Sequence, residues 1–181
     1  MYVWGRLARM ALSARSRGPL RFAEESRLPF RCLPSDIDRN MHLNNARYMM
    51  LADVGRIDIF LRSGFWALCR AQGWGPMMGG LQSVYVREIR LWSRFDIVST
   101  IETWQDRQMI GRHRFLHEDG AVAAVIMTTA GVYDRKNRRF VPIGEVARHL
   151  GSESLPRPPS FEETAFMTSH DGLRGLAKRK F

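Results

Sequence analysis

One long helix followed by a series of strands is the feature of this sequence that most restricts its fold. Asn44 is a good N-cap, residues 46–62 contain no Pro, and Gly64 is placed as a C-terminal stop, which predicts a helix over 44–63 of about five turns. A strand is predicted before the helix, over 28–33. After a Gly-rich bend at 73–80, apolar segments between turn residues predict strands over 81–89, 95–104, 109–117, 121–133 and 138–143, and then a short helix over 144–150. Because the helix and strands are segregated rather than alternating, the predicted fold class is α+β with an antiparallel sheet.

Length and composition indicate one domain with extensions at both ends. The chain has 181 residues, 45% of them hydrophobic, and a formal net charge of +10. This length fits a domain of about 100 to 200 residues, and the apolar content excludes a wholly disordered basic protein. We therefore predict a basic N-terminal arm over 1–26, partly helical, and a core domain over 27–150. Residues 151–181 are predicted to form a Pro-containing linker and a basic tail that ends in 178–180.

The lack of recognisable targeting signals and the small number of cysteines restrict the cellular compartment in which the protein is expected. No segment approaches the ~18 consecutive apolar residues of a membrane span, and the Arg-rich start lacks the apolar stretch and cleavage site of a secretion signal. The two cysteines, Cys32 and Cys69, are too few for a disulfide framework and fit a reduced compartment. We expect a cytoplasmic protein, or a mitochondrial one if the source is eukaryotic, and the basic N-terminus is also consistent with peripheral contact with a membrane.

The predicted helix has an apolar face with one carboxylate in it. The apolar residues expected on this face are Ala46, Met49, Met50, Ile57, Phe60 and Leu61. Arg47, Asp58 and Arg62 are expected on the opposite face, with Asp58 and Arg62 spaced for an ion pair. Asp53 falls in the apolar face, where a carboxylate needs a partner or a chemical role.

Residues 36–48 concentrate polar side chains at the start of the helix. The free N–H groups of a first helical turn can polarise a carbonyl or bind an anion. A carboxylate beside them, such as Asp36 or Asp38, can act as a nucleophile or a general base, which completes the parts of an acyl-transfer site. A structural interpretation is equally open from the spacing alone, with Asp36 as a turn former, His42 as a loop histidine and Asn44 as a helix cap.

This segment resembles a known signature. It is similar to the D-x-D-x-x-G-H-x-N-N-x-x-Y pattern of hotdog-fold thioesterases of the 4-hydroxybenzoyl-CoA thioesterase-like superfamily. Asp36, Asp38, Asn40, His42, Asn44 and Asn45 also match the D-L-D-x-N-x-H-V-N-N segment of plant acyl-ACP thioesterases. The wider run over 33–48 resembles thioesterase superfamily member six and its bacterial relatives. The resemblance covers about residues 28–150 and implies a single hotdog domain, in which the antiparallel sheet wraps around the long helix.

The resemblance implies roles for the loop residues. Asp38 matches the catalytic carboxylate, and Asn40 and His42 match residues with catalytic roles. Asn44 and Asn45 stand at the helix start, where N–H groups serve as oxyanion donors. Met41 occupies the position at which many relatives have a Gly whose N–H approaches the thioester carbonyl.

A second candidate acid is Asp53. The resemblance supports it because other hotdog enzymes place their acidic catalyst on the central helix. The structural alternative is an ion pair with Arg56, three residues further on, since a lone buried carboxylate is costly.

The implied reaction is hydrolysis of an acyl-CoA or acyl-ACP thioester, without a cofactor or a metal, by a homodimer or a dimer of dimers. Candidate contacts for the phosphates of CoA are Arg87, Arg90, Arg135 and Lys136. The alternative function is a non-catalytic hotdog protein that binds acyl-CoA or lipid, or acts as a scaffold, and is docked by its basic termini.

Three other chemistries are disfavoured by the sequence. His113 and His117 share a strand face but have no third metal ligand in sight. The run 169–171, Ser-His-Asp, comes without the G-x-S-x-G elbow of a serine hydrolase. Nucleic acid is not expected as a partner because the aromatic and basic residues do not follow a nucleic-acid-binding pattern.

Overall fold

The structure, a computed structural model, describes residues 3–152 and 156–177; the predicted basic end at 178–180 lies outside them. The helices are α1 (Trp4–Ala14), α2 (Asn45–Arg62), α3 (Phe65–Gln72), α4 (Ile143–His149) and α5 (Phe161–Ala177). The strands are β1 (Ser26–Arg31), β2 (Trp74–Tyr85), β3 (Arg94–Gln105), β4 (Gln108–His117), β5 (Val122–Asp134) and β6 (Arg139–Val141). No helix within these residues is both long enough and apolar enough to cross a membrane.

The strands form one antiparallel sheet around α2, so the α+β prediction is confirmed. Its order is β1-β3-β4-β5-β2, with β6 added beside the end of β5. The long helix packs closely on β3, because at Gly55 an added Cβ would overlap the Ser99 side chain. Two hydrophobic clusters form the core, one around the first turns of α2 and one around its last turns, α3 and α4.

The basic segment at the N-terminus packs against the rest of the chain. Met10 of α1 and Val3, which precedes the helix, are buried in the core cluster around the first turns of α2. Two arginines bind acids of the main fold, since Arg6 pairs with Asp36 and Arg17 pairs with Asp58. The prediction that the N-terminal arm is partly helical is therefore confirmed. The arm supplies core contacts and ion pairs to the fold in addition to positive charge.

Helix α5 lies on the outer face of the sheet and was not predicted. Glu163 is fully buried there, held by Arg112 of β4 at 3.0 Å and by Arg157 at 2.6 Å. Phe166 is buried one turn later. The helix continues toward β2, where an added Cβ at Gly80 would lie 2.6 Å from the Nδ1 atom of His170.

The prediction of a bend at 73–80 was wrong, because most of this segment belongs to strand β2. β2 pairs with β5 from Trp74 opposite Asp134 to Tyr85 opposite Ala124, with one irregularity between Met78 and Gly80. The glycines of this segment do not form a turn. They allow the side chains of Arg135 and His170 to approach the strand closely. The predicted strand over 81–89 accordingly ends earlier, at Tyr85.

The predicted helix faces were also wrong in part. The residues of α2 that are buried are Tyr48, Leu51, Ala52, Val54, Gly55, Asp58, Ile59 and Phe60. Ala46 and Leu61 are exposed, and Met49, Met50 and Ile57 are half-buried. Asp58, expected on the solvent side, is fully buried because Arg17, Arg62 and the Ser26 hydroxyl at 2.6 Å surround its carboxylate.

Candidate active site

The loop between β1 and α2 carries the signature and is closed on itself by backbone hydrogen bonds. The N–H of Asp38 donates to the carbonyl of His42 at 3.0 Å, and the N–H of Asn44 donates to the carbonyl of Asp36 at 2.8 Å. The N–H of Leu43 donates to Ile89 at 2.8 Å, which ties the loop to the segment after β2. The loop therefore presents its side chains from a fixed backbone rather than from a free end.

Asp36 has a structural role. Its side chain is almost completely buried and accepts a hydrogen bond from the N–H of Leu33 at 2.9 Å. It also pairs with Arg6, so it fastens the loop to α1. A carboxylate engaged in this way has little freedom to meet a substrate, and the structural interpretation of Asp36 is confirmed.

Asp38 and His42 lie side by side at the surface of the loop. One carboxylate oxygen of Asp38 accepts the N–H of Asn40 at 2.8 Å, and the other lies 3.5 Å from the Nδ1 atom of His42. The two side chains are 24% and 28% exposed, which leaves both reachable by a ligand. Asn40 is exposed next to them. The structure thus brings together the three residues that the resemblance marks as catalytic.

Met41 adopts the left-handed backbone conformation, with a φ of 62°. Residues with a Cβ pay about 1–2 kcal/mol in this region, and Gly does not. The position is therefore one that favours Gly, as in the resembling sequences. Met41 itself is 55% exposed, and its side chain stands at the rim of the site.

The first turn of α2 provides one open backbone donor. The side chain of Asn44 caps the helix, because its oxygen accepts the N–H of Ala46 at 2.9 Å. The backbone carbonyl of Asn44 accepts the N–H of Arg47 at 2.8 Å. The N–H of Asn45 has no hydrogen-bond partner among the residues that the structure describes. Asn44 thus builds the helix start, and Asn45 is the donor that remains for a ligand.

Two tyrosines beside this turn were not singled out from the sequence. Tyr48 is buried, and its burial raises its pKa to about 12. Its ring packs edge-on against that of Tyr85 at 5.1 Å between centroids, and the Tyr85 hydroxyl reaches the carbonyl of Asn45 at 3.4 Å. Tyr48 belongs to the quoted signature, so its spacing from Asn44 was the available signal. Tyr85 had none.

Asp53 lies on α2 away from the loop. It forms the ion pair with Arg56 that the spacing predicts, and its side chain is 34% exposed. Eight residues separate it from Asn45, which is about 12 Å along the helix axis at the usual rise. Within one protomer, Asp53 and Asp38 therefore belong to different places.

Buried polar groups occur under the middle of α2. The hydroxyl of Ser99 lies 2.8 Å from Nδ1 of His113, and the Nε2 atom of His113 has no partner within the described chain. Burial, and secondly the charge of Arg56, lowers the pKa of His113 to about 3, so the ring is neutral. Within residues 3–152 and 156–177, no three His, Cys, Asp or Glu side chains are grouped as metal ligands.

The four candidate phosphate contacts are divided between two places. Arg90 pairs with Glu88, and its backbone forms an isolated antiparallel β-bridge with His42 of the loop. Arg87 pairs with Asp119 at 2.8 Å and lies on the same segment after β2, two residues before Ile89, which accepts the N–H of Leu43. Arg135 and Lys136 follow β5 at the opposite end of the β2–β5 ladder. Eleven paired positions at ~3.4 Å each separate the two ends, which excludes a single phosphate site made by all four in one protomer.

The wrapped sheet, the central helix and the signature loop at its start define a hotdog-fold protein of the thioesterase class. The chain belongs to the thioesterase-like superfamily, whose sequence pattern matches residues 32–150. It is 36% identical over 97 residues to Protein THEM6 of Xenopus laevis, covering 53% of this chain and 47% of that protein. The chain spans about half the length of the curated relatives that it matches.

Solved structures share the fold at low sequence identity. YbaW, a probable thioesterase from Escherichia coli, superposes with a TM-score of 0.65 at 20% identity, over 70% of this chain and 96% of that one. The hypothetical protein SAV2348 from Staphylococcus aureus, solved in complex with CoA, gives 0.63 at 15% identity, over 78% and 92% of the two chains. These similarities confirm the hotdog fold that the loop signature implied.

Proposed function

We propose that this protein hydrolyses an acyl thioester, with Asp38 as the reacting carboxylate. The observation that carries the proposal is the position of Asp38 and His42, 3.5 Å apart and partly exposed, in the loop that leads to the open N–H of Asn45. Membership of the thioesterase-like superfamily supports the same reaction class.

In the proposed reaction, the N–H of Asn45 polarises the thioester carbonyl. Asp38 either takes a proton from the attacking water or attacks the carbonyl carbon itself, and Asn40 and His42 orient the reactants. In the first route the carbon–sulfur bond breaks, the thiolate takes up the proton that Asp38 removed from water, and the acyl group leaves as a carboxylate. In the second route the carbon–sulfur bond breaks to leave a mixed anhydride on Asp38, which water then hydrolyses; this releases the acyl carboxylate, restores Asp38 and supplies the proton of the thiol. A backbone donor aimed at a developing oxyanion contributes about 10²- to 10³-fold to the rate of such reactions.

The proposed substrate carrier is CoA or acyl carrier protein. Arg87 and Arg90 are the candidate phosphate contacts that lie on the loop side of the molecule. SAV2348, which shares the fold, was solved with CoA. In one protomer Arg135 and Lys136 lie too far from the loop to contact the same ligand. They would reach that ligand only from a second copy of the chain.

The proposed active form is a homodimer joined through β2. This strand is an edge of the sheet, and it exposes the apolar side chains Met77, Met78, Leu81, Val84 and Tyr85. Long apolar edge strands are templates for pairing with another chain. Tyr85 links this edge to the first turn of α2, so a partner on β2 would lie beside the loop.

Asp38→Asn tests the proposal. Asn keeps an oxygen for the N–H of Asn40, so we expect the loop to stay folded while hydrolysis of a chain-length series of acyl-CoAs falls at least 10³-fold. Asp106→Asn, an exposed carboxylate far from the signature, is the matched control and should keep wild-type turnover. Wild-type activity in a correctly folded Asp38→Asn variant would show that the role assigned to Asp38 is wrong.

A second candidate function is a non-catalytic protein that binds acyl-CoA or lipid at a membrane. The outer face of α1 favours it, because Trp4 is 69% exposed and Leu12 is 83% exposed, with Arg9 of the helix and Arg15 just after it also exposed. Aromatic, aliphatic and basic residues on one helix are typical of interfacial helices. Binding of acyl-CoA without hydrolysis, together with sedimentation on phosphatidylserine vesicles, would favour this function over the enzyme.

A further inference from the structure

A groove of about 1020 Å³ lies between helix α1 and the edge strand β1. Its apolar lining comes from both elements and the segment after β1: Val3, Met10, Leu28, Pro29, Phe30 and Leu33. The volume is at the upper end of the range of about 300–1,000 Å³ in which proteins bind small molecules. Nearly all of this lining precedes residue 32, so the superfamily pattern does not include it.

The charge of the groove is almost entirely positive. Six arginines line it, Arg6, Arg9, Arg17, Arg31, Arg47 and Arg94, against one carboxylate, that of Asp36. A concave surface lined by one sign of charge raises the local concentration of ligands of the opposite sign. The expected ligand is therefore an anion.

Two guanidinium nitrogens in the groove lining are buried donors without a partner among the described residues, Nη1 of Arg6 and Nε of Arg17. Arg6 is nevertheless held in place, because its Nη2 donates to the carbonyl of Arg31 at 2.8 Å and its guanidinium lies 5.6 Å from the centroid of the Phe30 ring. Buried donors are nearly always paired in folded proteins. The donors that an acceptor oxygen in the groove can reach are those of the exposed arginines in its lining, Arg9, Arg31 and Arg94.

We propose that this groove binds a single-chain anionic amphiphile such as a fatty acid, with the carboxylate on the arginines and the alkyl chain along the apolar lining. An uncharged chain would bring no acceptor charge to the arginines, and a small inorganic anion would leave the accessible part of the apolar lining, Pro29, Phe30 and Leu33, in water. The groove lining includes neither Asp38, His42 nor Asn45, and of α2 it includes only Arg47, so the proposed ligand does not contact the groups assigned to the proposed hydrolysis.

Binding of radiolabelled dodecanoate, below its micelle concentration, tests the proposal by equilibrium dialysis. Gly5→Trp fills the groove, since nothing lies within 4 Å of a Cβ built at Gly5, and Arg9→Glu reverses a charge on its rim. We expect each change to weaken dodecanoate binding at least tenfold, the loss expected when a charge-assisted contact is removed. Arg15→Glu makes the same charge change at the residue that follows α1, outside the groove lining, and it should bind dodecanoate like wild type, as should Asp38→Asn.

Two further measurements, dodecanol binding and vesicle sedimentation, complete the test. Dodecanol should bind at least tenfold more weakly than dodecanoate, because it has no charge for the arginines. If the folded Gly5→Trp and Arg9→Glu variants bind dodecanoate like wild type, or if only Asp38→Asn loses binding, the ligand lies elsewhere and the proposal is wrong. Sedimentation on phosphatidylserine vesicles without binding of monomeric dodecanoate would assign the arginines to a bilayer surface and would also overturn it.

Discussion

At the scale of single residues, the carboxylates of this chain differ in what surrounds them rather than in their chemistry. Asp38 has backbone and His42 contacts at the surface, whereas Asp58 is fully buried among Arg17, Arg62 and Ser26. A buried carboxylate that loses its charge leaves its partners uncompensated, and a surface carboxylate does not. Environment therefore separates a candidate reacting group from a structural one.

Asp58→Ala should lower the free energy of unfolding by about 3–5 kcal/mol, because it leaves two arginines without their shared acid in a buried site. Urea denaturation monitored by circular dichroism measures this. Asp119→Ala removes an exposed ion pair with Arg87 and should leave the transition close to that of wild type. A similar small effect for both variants would contradict the structural role of Asp58.

Stability should also depend on pH through His113. Its pKa is about 3 in the folded protein, mainly because of burial, against an ordinary value of 6.5. Between these two values the unfolded chain binds a proton that the folded chain does not. The contribution is therefore complete above pH 6.5 and is lost as the pH falls toward 3, by at most about 1.4 kcal/mol per pH unit.

Urea denaturation of wild type and of His113→Gln at pH 7, 6, 5 and 4 measures this dependence. The stability of wild type should fall more steeply with decreasing pH than that of His113→Gln. His149→Gln changes an exposed histidine and should keep the wild-type slope. Equal slopes in all three proteins would mean that His113 is not protected from protonation.

At the scale of elements, the sequence predicts those parts whose periodicity is uninterrupted. Helix α2 and strands β3, β4 and β5 lie within one residue of the predicted bounds, because their caps and turn residues are local signals. Strand β2 and helix α5 depend on tertiary contacts instead, through Gly80 against His170 and through the buried Glu163. Such contacts have no local signature, and the glycines over 73–80 and the prolines before α5 favour irregular structure in a sequence-based prediction.

Helix α3 is a different kind of omission, because a signal for it was present. It lies between Gly64 and Gly73, both in the left-handed conformation at φ of 77° and 70°. Two such glycines with eight residues between them are consistent with the end of one helix and the end of the next. The sequence-based prediction assigns Gly64 to a helix stop and Gly73 to the start of a bend, and it therefore omits α3.

The candidate site likewise has residues that a local sequence signal identifies and residues whose placement depends on the tertiary structure. The loop signature identified Asp38, Asn40 and His42, and the structure brings these three together. The sequence could not divide Arg87 and Arg90 from Arg135 and Lys136, because the length of the β2–β5 ladder appears only once the strands are paired.

The close contact of α2 with the sheet predicts opposite effects for one substitution at two helical glycines. Gly55→Ala should lower the free energy of unfolding by about 1–3 kcal/mol, because the new Cβ overlaps Ser99 in a packed core. Gly172→Ala in α5 meets nothing within 4 Å and should raise it by up to about 1 kcal/mol through helix propensity. Thermal denaturation of both variants measures the difference, and stabilisation by Gly55→Ala would contradict the close packing.

At the scale of the whole molecule, the exposed edge strand β2 and the signature loop lie next to each other. Leu81→Lys with Val84→Lys places two charges on this edge, which should block strand pairing between protomers. We expect analytical ultracentrifugation to show a monomer in place of the proposed dimer, and thioester hydrolysis to fall with it. Phe161→Lys, at an exposed apolar residue of α5, is the control and should remain dimeric. A dimeric double variant would place the interface elsewhere.

Strand β1 has a practical consequence for anyone who trims this protein. It pairs with β3 at six positions, from Ser26 opposite Ser99 to Arg31 opposite Arg94, yet it lies just before the range that the superfamily pattern matches. A fragment cut to residues 32–150 would lose this strand together with Arg17, the partner of buried Asp58. The 12 residues of β3 would then become an open edge bearing Phe95, Ile97 and Ile101, which is the kind of surface that aggregates. Insolubility of such a fragment would therefore report on a misplaced cut and not on an unstable hotdog fold.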